Sequence, residues 1–375
     1  MKCGSIDIDS DIDFAASYNS VSSVSGETRN PYNTNHESGG SSAGTGTAIA
    51  ANYGLIGVGE DTGGSIRVPA SFCNLVGLRP TVGLVSRAGL SPLIKTQDTP
   101  GPMTRTVRDA ALMLDALVGY DPKDLFTANQ GIITPPKGGS YAANLSETTL
   151  ASARLGVLNE VFGDGSAPEH AAVNKAVREA LSKFTTGTQL VDVEIPKLDH
   201  YWTFTTTYMS RSRWDINNFL AAHPHITGVT FESIHSSKQF HPSLALFQKL
   251  GEGIAHPRDD PEYGERLDQQ QEFQRIVVSV MIENKLDAMV YPSVKITPPT
   301  IEDTLNTRFW DYFPTNTSIG SQLRFPAISV PIGFTEDGLP IGLEILGVPY
   351  SEQKLLELAY GVERLINARK PPKLP

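Results

Sequence analysis

Residues 59–70 read "GEDTGGSIRVPA", and they place two consecutive glycines, Gly63 and Gly64, directly before Ser65. Glycine adopts backbone conformations that other residues avoid, so consecutive N–H groups can converge on one point. A serine beside such a nest suits acyl transfer, because its hydroxyl attacks a carbonyl while the N–H groups stabilise the oxyanion. Gly-Gly-Ser is also an ordinary turn sequence, so these twelve residues alone leave both interpretations open.

A second Gly-Gly-Ser lies upstream, in "ESGGSSAG" at residues 37–44. Its Ser41 precedes Ser65 by 24 positions, and a helix-like segment and a strand-like segment separate the two serines. Two turns at the ends of adjacent elements can bring two hydroxyls together. A serine pair then works without histidine if a neutral lysine accepts the proton and the second serine relays it.

Three other patterns compete with this serine pair. The glycines between positions 57 and 64 do not have the G-x-G-x-x-G spacing of a dinucleotide-binding loop. Residues 40–44 match a nucleophile elbow, but no buried strand is predicted before them, and the last histidine, His256, comes early for that fold. The S-x-x-K sequence from Ser351 to Lys354 opens an amphipathic helix, which favours a helix cap at Ser351.

Four longer stretches of the sequence contain or follow the two serines. They are "NPYNTNHESGGSSAG" from Asn30, "GEDTGGSIRVPASFCNLVGLRPT" from Gly59, "SRAGLSPLIKTQDTPGPMTRTVRDAALML" from Ser86 and "FPAISVPIGFTEDGLPIGLEILG" from Phe325. In content and order these stretches resemble the amidase signature family, the Ser–Ser–Lys amidohydrolases. The resemblance implies hydrolysis of a carboxylic amide through a serine acyl-enzyme, with no metal and no organic cofactor.

The resemblance also implies roles for individual residues. Ser65 corresponds to the nucleophile, and Ser41 to the relay serine, which the family holds behind a cis peptide bond. The backbone N–H groups of the oxyanion hole are those of Thr62, Gly63, Gly64 and Ser65. The loop is supported by Ser42, Asp61 and Arg67, and for Asp61 and Arg67 a structural role is favoured over a chemical one.

The family lysine is the element that the sequence does not supply. It lies several tens of residues before the relay serine, whereas only Lys2 precedes Ser41 here. The expectation from sequence is therefore a chain that lacks the N-terminal part of the family fold. Its alternatives are an inactive homologue, or a chain in which His36, Lys95 or Lys2 serves as the base. A further alternative is a transamidation component like the A subunit of glutamyl-tRNA amidotransferase.

The expected fold is an α/β/α sandwich around a mixed β-sheet, as a single domain over residues 1–375. Its signature core covers about residues 30–120, and a variable helical insertion covers about residues 200–280. The segment "LIGVGED" before the glycines predicts a buried strand, and "TVRDAALMLDALVG" predicts a helix with a capping box at Thr106. The stretch from Phe325 predicts two strands around an Asp-Gly turn. Aromatic residues of the insertion, such as Trp202 and Trp214, are candidates for an acyl pocket or for core packing.

Composition limits the partners. The net charge of −10 and the pI near 5.3 disfavour nucleic acid, which requires a basic surface. No apolar stretch reaches the length of a membrane span, and the acidic start is not a signal peptide, so a cytoplasmic location is expected. The two cysteines cannot build a disulfide framework. The expected partner is a small-molecule amide, with a homodimer as an open possibility.

Overall fold

The computed structural model describes residues 20–22, 26–184, 187–223, 225–241, 244–304 and 316–373. The strands of these residues are, in chain order, β1 (Val21–Ser22), β2 (Gly26–Glu27), β3 (Ile56–Asp61), β4 (Val76–Arg79), β5 (Thr99–Thr104), β6 (Arg154–Leu158), β7 (Gln189–Val193), β8 (Ala288–Pro292), β9 (Ala327–Phe334) and β10 (Pro340–Leu346).

The helices of the same residues are α1 (Ala43–Ala50), α2 (Arg67–Phe72), α3 (Val107–Leu117), α4 (Thr148–Ala151), α5 (Pro168–Ser182), α6 (Leu198–Phe204), α7 (Tyr208–Ala222), α8 (Phe231–Ser237), α9 (Ala245–Glu252), α10 (Tyr263–Glu283), α11 (Ile301–Thr304), α12 (Ser318–Leu323) and α13 (Glu352–Ile366). Over the described ranges, none of these helices combines the length and the apolar character needed to cross a bilayer.

Eight strands form one mixed sheet in the order β3-β5-β4-β9-β10-β8-β6-β7. Strand β6 runs parallel to both β7 and β8, and the other neighbours in this sheet are antiparallel. Strands β1 and β2 form a separate small hairpin. The predicted α/β fold with a mixed sheet is therefore confirmed.

Helices cover both faces of the sheet, as alternate residues of β10 show. Leu343 and Ile345 lie in the main hydrophobic core together with Leu355 of α13. Glu344 lies between them, so its side chain points to the opposite face, where it contacts Arg67 of α2. This is the layered arrangement that the sequence resemblance implies.

Local sequence signals succeed at some element ends and fail at others. The Thr106 hydroxyl accepts a hydrogen bond from the Asp109 N–H at 3.1 Å and caps α3, as predicted. The Asp-Gly turn between β9 and β10 also forms, with Gly338 at a φ of 81°. The predicted cap at Ser351 is wrong, because its hydroxyl donates to the Val348 carbonyl at 2.7 Å instead.

Strand β3 forms the sheet edge, contrary to the prediction of a buried strand. Ile56 is 50% exposed. Hydroxyls of the α1 segment cover part of this edge: Thr45 donates to the Val58 carbonyl at 3.0 Å. Ser42 accepts from the Glu60 N–H at 3.1 Å and donates to the Glu60 carbonyl at 3.2 Å. These hydroxyls therefore occupy positions that a neighbouring strand would otherwise fill.

The segment predicted to be a helical insertion contains helices α6 to α10, and its status as an insertion stays a prediction. Part of it forms a second hydrophobic cluster together with Val21, in which the ring centroids of Phe231 and Phe247 lie 4.4 Å apart. Trp202 belongs to the main core and is 7% exposed, which favours the core-packing interpretation for this residue. Trp214 packs against the ring of His256 at a centroid distance of 4.0 Å.

Glu37 connects the chain before α1 to the segment around α11. Its carboxylate accepts hydrogen bonds from the Ser20 N–H at 2.9 Å and the Thr304 hydroxyl at 3.0 Å. Burial nevertheless raises the pKa of Glu37 to about 7, from an ordinary value of 4.5. The folded protein thus retains this proton over a pH range in which the unfolded chain has already released it.

We expect the unfolding free energy to fall as pH rises from about 5 to about 8, because the raised pKa of Glu37 makes its ionisation costly in the folded state. The contribution of Glu37 is at most about 3 kcal/mol, since one pKa unit corresponds to about 1.4 kcal/mol. Urea denaturation of the parent and of Glu37→Gln across this pH range measures the contribution. The stability of the parent relative to Glu37→Gln should fall as pH rises. The exposed Glu336→Gln is the control. A difference independent of pH would contradict the assignment.

Candidate active site

Ser65 lies in the loop that joins β3 to α2. Strand β3 ends at Asp61 and α2 begins at Arg67, where the Val68 N–H donates to the Gly64 carbonyl at 2.8 Å. Ser65 and Gly63 are partly exposed, whereas Gly64 is buried. The predicted nucleophile is thus accessible on a loop whose two ends are fixed in secondary structure.

Ser41 is brought next to this loop. The Gly40–Ser41 peptide bond is cis, as the family resemblance implies. The N–H of the next residue, Ser42, donates to the Ser65 carbonyl at 3.2 Å, which joins the two serine segments directly. Within the described residues no hydrogen bond links the Ser41 and Ser65 hydroxyls, so direct proton transfer between them stays a prediction.

Both glycines before Ser65 fit against side chains from distant parts of the chain. A Cβ at Gly64 would lie 1.9 Å from the Thr317 hydroxyl, and Gly64 has a φ of 130°. A Cβ at Gly63 would lie 2.3 Å from the Tyr208 hydroxyl. The Thr317 hydroxyl also donates to the Gly63 carbonyl at 2.9 Å. Thr317 and Tyr208 therefore define the space around the loop, and no short motif marked them.

The loop N–H groups do not all point the same way. The Gly64 N–H donates to the Asp61 carboxylate at 2.9 Å, and the Ile66 N–H donates to it at 3.3 Å. In the described part of the chain the N–H groups of Thr62, Gly63 and Ser65 have no hydrogen-bond acceptor. Of the four predicted oxyanion donors, Gly64 is thus the one that already has a partner.

Asp61 is the centre of a buried charged cluster beneath the loop. Its carboxylate pairs with Arg67 at 3.0 Å and Arg79 at 2.8 Å, and it accepts from the Ser321 hydroxyl at 2.9 Å. Burial alone would raise the pKa of Asp61, but the two guanidinium groups overcome that effect and hold it well below its usual range. Asp61 is therefore ionised and fixes the loop N–H groups from below.

Arg67 ties this cluster to the central sheet. It pairs with Asp61 and Glu344, and it donates to the Thr317 carbonyl and the Ser321 hydroxyl, both at 2.8 Å. All of these side chains are buried. Burial raises the pKa of Glu344 to about 7 against the opposing effect of Arg67. The contacts of Asp61 and Arg67 are structural, and any chemical contribution of either residue stays a prediction.

Comparison with known proteins shows the family to which this chain belongs. The family model named Amidase matches residues 12–356, which is most of the chain. The chain belongs to the amidase family. A curated relative, the A subunit of glutamyl-tRNA(Gln) amidotransferase from Desulfotalea psychrophila, is 31% identical over 96% of this chain and 74% of its own length.

Solved structures agree with this family assignment. Peptide amidase from Stenotrophomonas maltophilia is similar with a TM-score of 0.80 and 28% identity, over 95% of this chain and 72% of that one. The A subunit of glutamyl-tRNA(Gln) amidotransferase from Thermotoga maritima is similar with a TM-score of 0.70 and 25% identity, over 92% and 71% of the two chains. Both likenesses span this amidase almost completely.

Thr62 anchors the start of the loop between β3 and α2. Its hydroxyl donates to the Asp98 carboxylate at 2.7 Å, and its carbonyl accepts from Gln97 at 2.6 Å. Burial raises the pKa of Asp98 to about 7, and burial together with Asp98 raises the pKa of Glu60 well above its ordinary range. The Glu60 and Asp98 side chains face a cavity of about 530 Å³.

The candidate bases lie in different surroundings. Lys95 lines the same 530 Å³ cavity, which neither Ser41 nor Ser65 lines. The Nδ1 of His36 is 2.7 Å from the Pro298 carbonyl, so this nitrogen carries the proton. Lys2 lies outside the described residues. No hydrogen bond joins a lysine or a histidine to Ser41 or Ser65 in the ranges that the structure covers.

The described residues contain no group of three or more His, Cys, Asp or Glu side chains that could hold a metal ion. The partners that sequence reasoning missed are instead hydrogen-bonding residues from afar: Arg79, Tyr208, Thr317, Ser321 and Glu344. Only Arg79 belongs to a quoted signature stretch close to Ser65, in "NLVGLRPT". The others depend on the tertiary fold, because between 145 and 277 positions separate them from the residues of this segment that they contact.

Proposed function

We propose that this protein hydrolyses a small carboxylic amide, with Ser65 as the nucleophile that forms the acyl-enzyme. The observation that carries the proposal is the joint between the two serine segments, where the Ser42 N–H meets the Ser65 carbonyl at 3.2 Å. It joins the Ser41 segment to the loop of the partly exposed Ser65, in which the N–H groups of Thr62, Gly63 and Ser65 have no acceptor among the described residues. A hydroxyl flanked by a second hydroxyl and converging N–H donors is suited to acyl transfer.

In the proposed reaction the Ser65 oxygen attacks the amide carbonyl while its proton passes through Ser41 to a base. The N–H groups of Thr62, Gly63 and Ser65 donate to the oxyanion of the tetrahedral intermediate. Collapse of the intermediate breaks the C–N bond, and the amine leaves with the returned proton. Water then attacks the ester of Ser65 and releases the carboxylic acid.

The proton acceptor is the role that is not assigned. In the family that the sequence resembles it is a lysine, and the described residues place no lysine on either serine. His36 has its Nδ1 proton on the Pro298 carbonyl, which leaves Nε2 free of that proton. Loss of one triad member in a serine enzyme costs about four to six orders of magnitude in rate. The inactive-homologue alternative therefore depends on this one role.

Hydrolysis is favoured over a role in an amidotransferase by the structural likeness. Peptide amidase matches with a TM-score of 0.80, against 0.70 for the amidotransferase chain of Thermotoga maritima. The curated relative at 31% identity is nevertheless the A subunit of an amidotransferase, so the amidotransferase role is the second candidate. The two candidate functions make different predictions for the purified chain. A hydrolase acts on amides without a partner protein, whereas an amidotransferase subunit requires one.

Covalent labelling with a fluorophosphonate probe tests the nucleophile. Ser65→Ala is expected to abolish labelling, and peptide mass spectrometry should place the adduct on Ser65. Ser42→Ala should slow labelling about tenfold, because it removes the hydroxyl that holds the relay segment on Glu60. The exposed Ser236→Ala is the matched control and should leave the rate unchanged.

Labelling that survives Ser65→Ala would move the nucleophile to another residue. A folded parent chain that is not labelled at all, and that turns over an aryl amide no faster than Ser65→Ala, would favour the inactive homologue. If the parent is labelled at Ser65, the variants His36→Ala and Lys95→Met show whether either residue supplies the base.

A further inference from the structure

We propose that Lys295 binds a carboxylate carried by the substrate, so that the preferred amide is a half-amide of a dicarboxylic acid. The inference rests on the proposed function, because it names the substrate class of the same site.

The Lys295 segment packs on the helix that follows Ser65. Val294 and Ile296 form a buried cluster with Val68 and Phe72 of α2. Lys295 lies between these two buried residues and is itself only partly buried. It therefore belongs to a segment that is fixed against the helix following Ser65.

Two consecutive residues hold this segment and the Ser65 loop together. The Asn316 amide donates to the Pro292 carbonyl at 2.8 Å, just before the Lys295 segment. The next residue, Thr317, donates to the Gly63 carbonyl at 2.9 Å. One dipeptide thus links the segment that carries Lys295 to the Ser65 loop.

The ammonium of Lys295 has an aromatic neighbour. Its Nζ lies 5.1 Å from the ring centroid of Trp202, whose indole N–H donates to the Ser318 hydroxyl at 2.9 Å. Ser318 directly follows Thr317. Across the described ranges no carboxylate lies within ion-pairing distance of Lys295, although Asp199 and Asp164 act on it from further away.

A half-buried cation without a counter-ion is costly, and burial lowers the pKa of Lys295 accordingly. A substrate carboxylate would supply the missing charge in a site partly shielded from water, where a charge-assisted hydrogen bond is strong. The Trp202 ring keeps the ammonium in place through a cation–π contact. An amide with a carboxylate at the far end of its acyl chain satisfies both Ser65 and Lys295.

Matched substrates test the proposal. The mono-p-nitroanilides of succinic, glutaric and adipic acid are compared with the p-nitroanilides of the monocarboxylic acids in which a methyl group replaces the distal carboxyl. Lys295→Met should lower kcat/KM about 10- to 100-fold for the preferred acidic anilide, mainly through KM, and leave its neutral partner unchanged. Lys295→Arg should retain the preference, and Lys175→Met, which removes an exposed lysine, should have no effect.

Binding in the absence of turnover separates this proposal from the proposed function. Calorimetry measures the three free dicarboxylates against Ser65→Ala and against Ser65→Ala/Lys295→Met. Binding that the second variant loses supports the Lys295 site even if the chain hydrolyses nothing. Equal binding by both variants, no binding by either, or an equal loss of activity on acidic and neutral anilides in Lys295→Met would overturn it.

Discussion

Replacing Arg67 by methionine is expected to lower the free energy of unfolding by about 3–5 kcal/mol, the usual result of removing one partner from a buried ion pair. Arg67 is fully buried and pairs with both Asp61 and Glu344. Methionine keeps much of the apolar stem but leaves the Glu344 carboxyl, which is also fully buried, without its counter-ion. Asp61 keeps its contact with Arg79, so the main cost falls on Glu344.

The expected loss depends on pH. Burial already raises the pKa of Glu344 to about 7 with Arg67 present, and removal of the guanidinium raises it further. Between pH 4.5 and about 7 the folded parent and the folded variant both retain this proton, so the added destabilisation should grow only above about pH 7, where the parent ionises Glu344 and the variant does not. Arg67→Met should therefore be more destabilising at pH 8 than at pH 6.

Urea denaturation of three variants measures this effect. Arg67→Met is compared with Arg275→Met, which removes an arginine that is 64% exposed and paired at the surface with Glu272. The surface variant should change stability by at most about 0.5 kcal/mol. Arg67→Met/Glu344→Met should recover about 1–2 kcal/mol relative to Arg67→Met, since it removes the unpaired carboxyl. Equal losses in the buried and surface variants would show that the Arg67 contacts contribute little.

The sequence predicted the elements whose signals are local. Thr106 and Asp109 are three positions apart and form the predicted cap, and the turn at Gly338 needs only a left-handed residue between two strands. The cis bond before Ser41 followed from the family resemblance, which reads a long stretch of chain together. These predictions succeeded because each depends on residues that are close in sequence or on a motif that is continuous.

The failures have the opposite cause. The sequence predicted no helix at α2, because its six residues are all buried and show no alternation between polar and apolar faces. Strand β3 is apolar enough to suggest burial, but its place at the sheet edge is decided by pairing across the whole sheet. The contact between Arg67 and Glu344 spans 277 positions, and no local pattern reports it. Long-range partners of the site therefore needed the folded structure.

The two loop glycines should respond differently to substitution, although each change adds a single methyl group. Gly63→Ala and Gly64→Ala are both expected to displace the loop and lower the rate of Ser65 labelling about 10²–10³-fold, an effect as large as losing one oxyanion donor, because the N–H groups of Gly63 and Ser65 would no longer face the oxyanion. At Gly63 the obstacle is the Tyr208 hydroxyl at 2.3 Å, and the next atom of that ring lies at 3.5 Å. At Gly64 the Thr317 hydroxyl lies at 1.9 Å, its Cβ at 2.6 Å, and the φ of 130° disfavours any side chain.

Removing the obstructing hydroxyl should restore labelling at Gly63 but not at Gly64. Gly63→Ala/Tyr208→Phe should regain most of the labelling rate that Gly63→Ala loses, because a Cβ 3.5 Å from the ring is an ordinary contact. Gly64→Ala/Thr317→Val should regain little, because the Thr317 Cβ and the backbone strain remain. Gly264→Ala in α10 is the control: it meets no atom within 4 Å and should stabilise the helix by about 0.5–1 kcal/mol without changing labelling. Full rescue at Gly64, or none at Gly63, would mean that Tyr208 and Thr317 do not define the geometry of the loop.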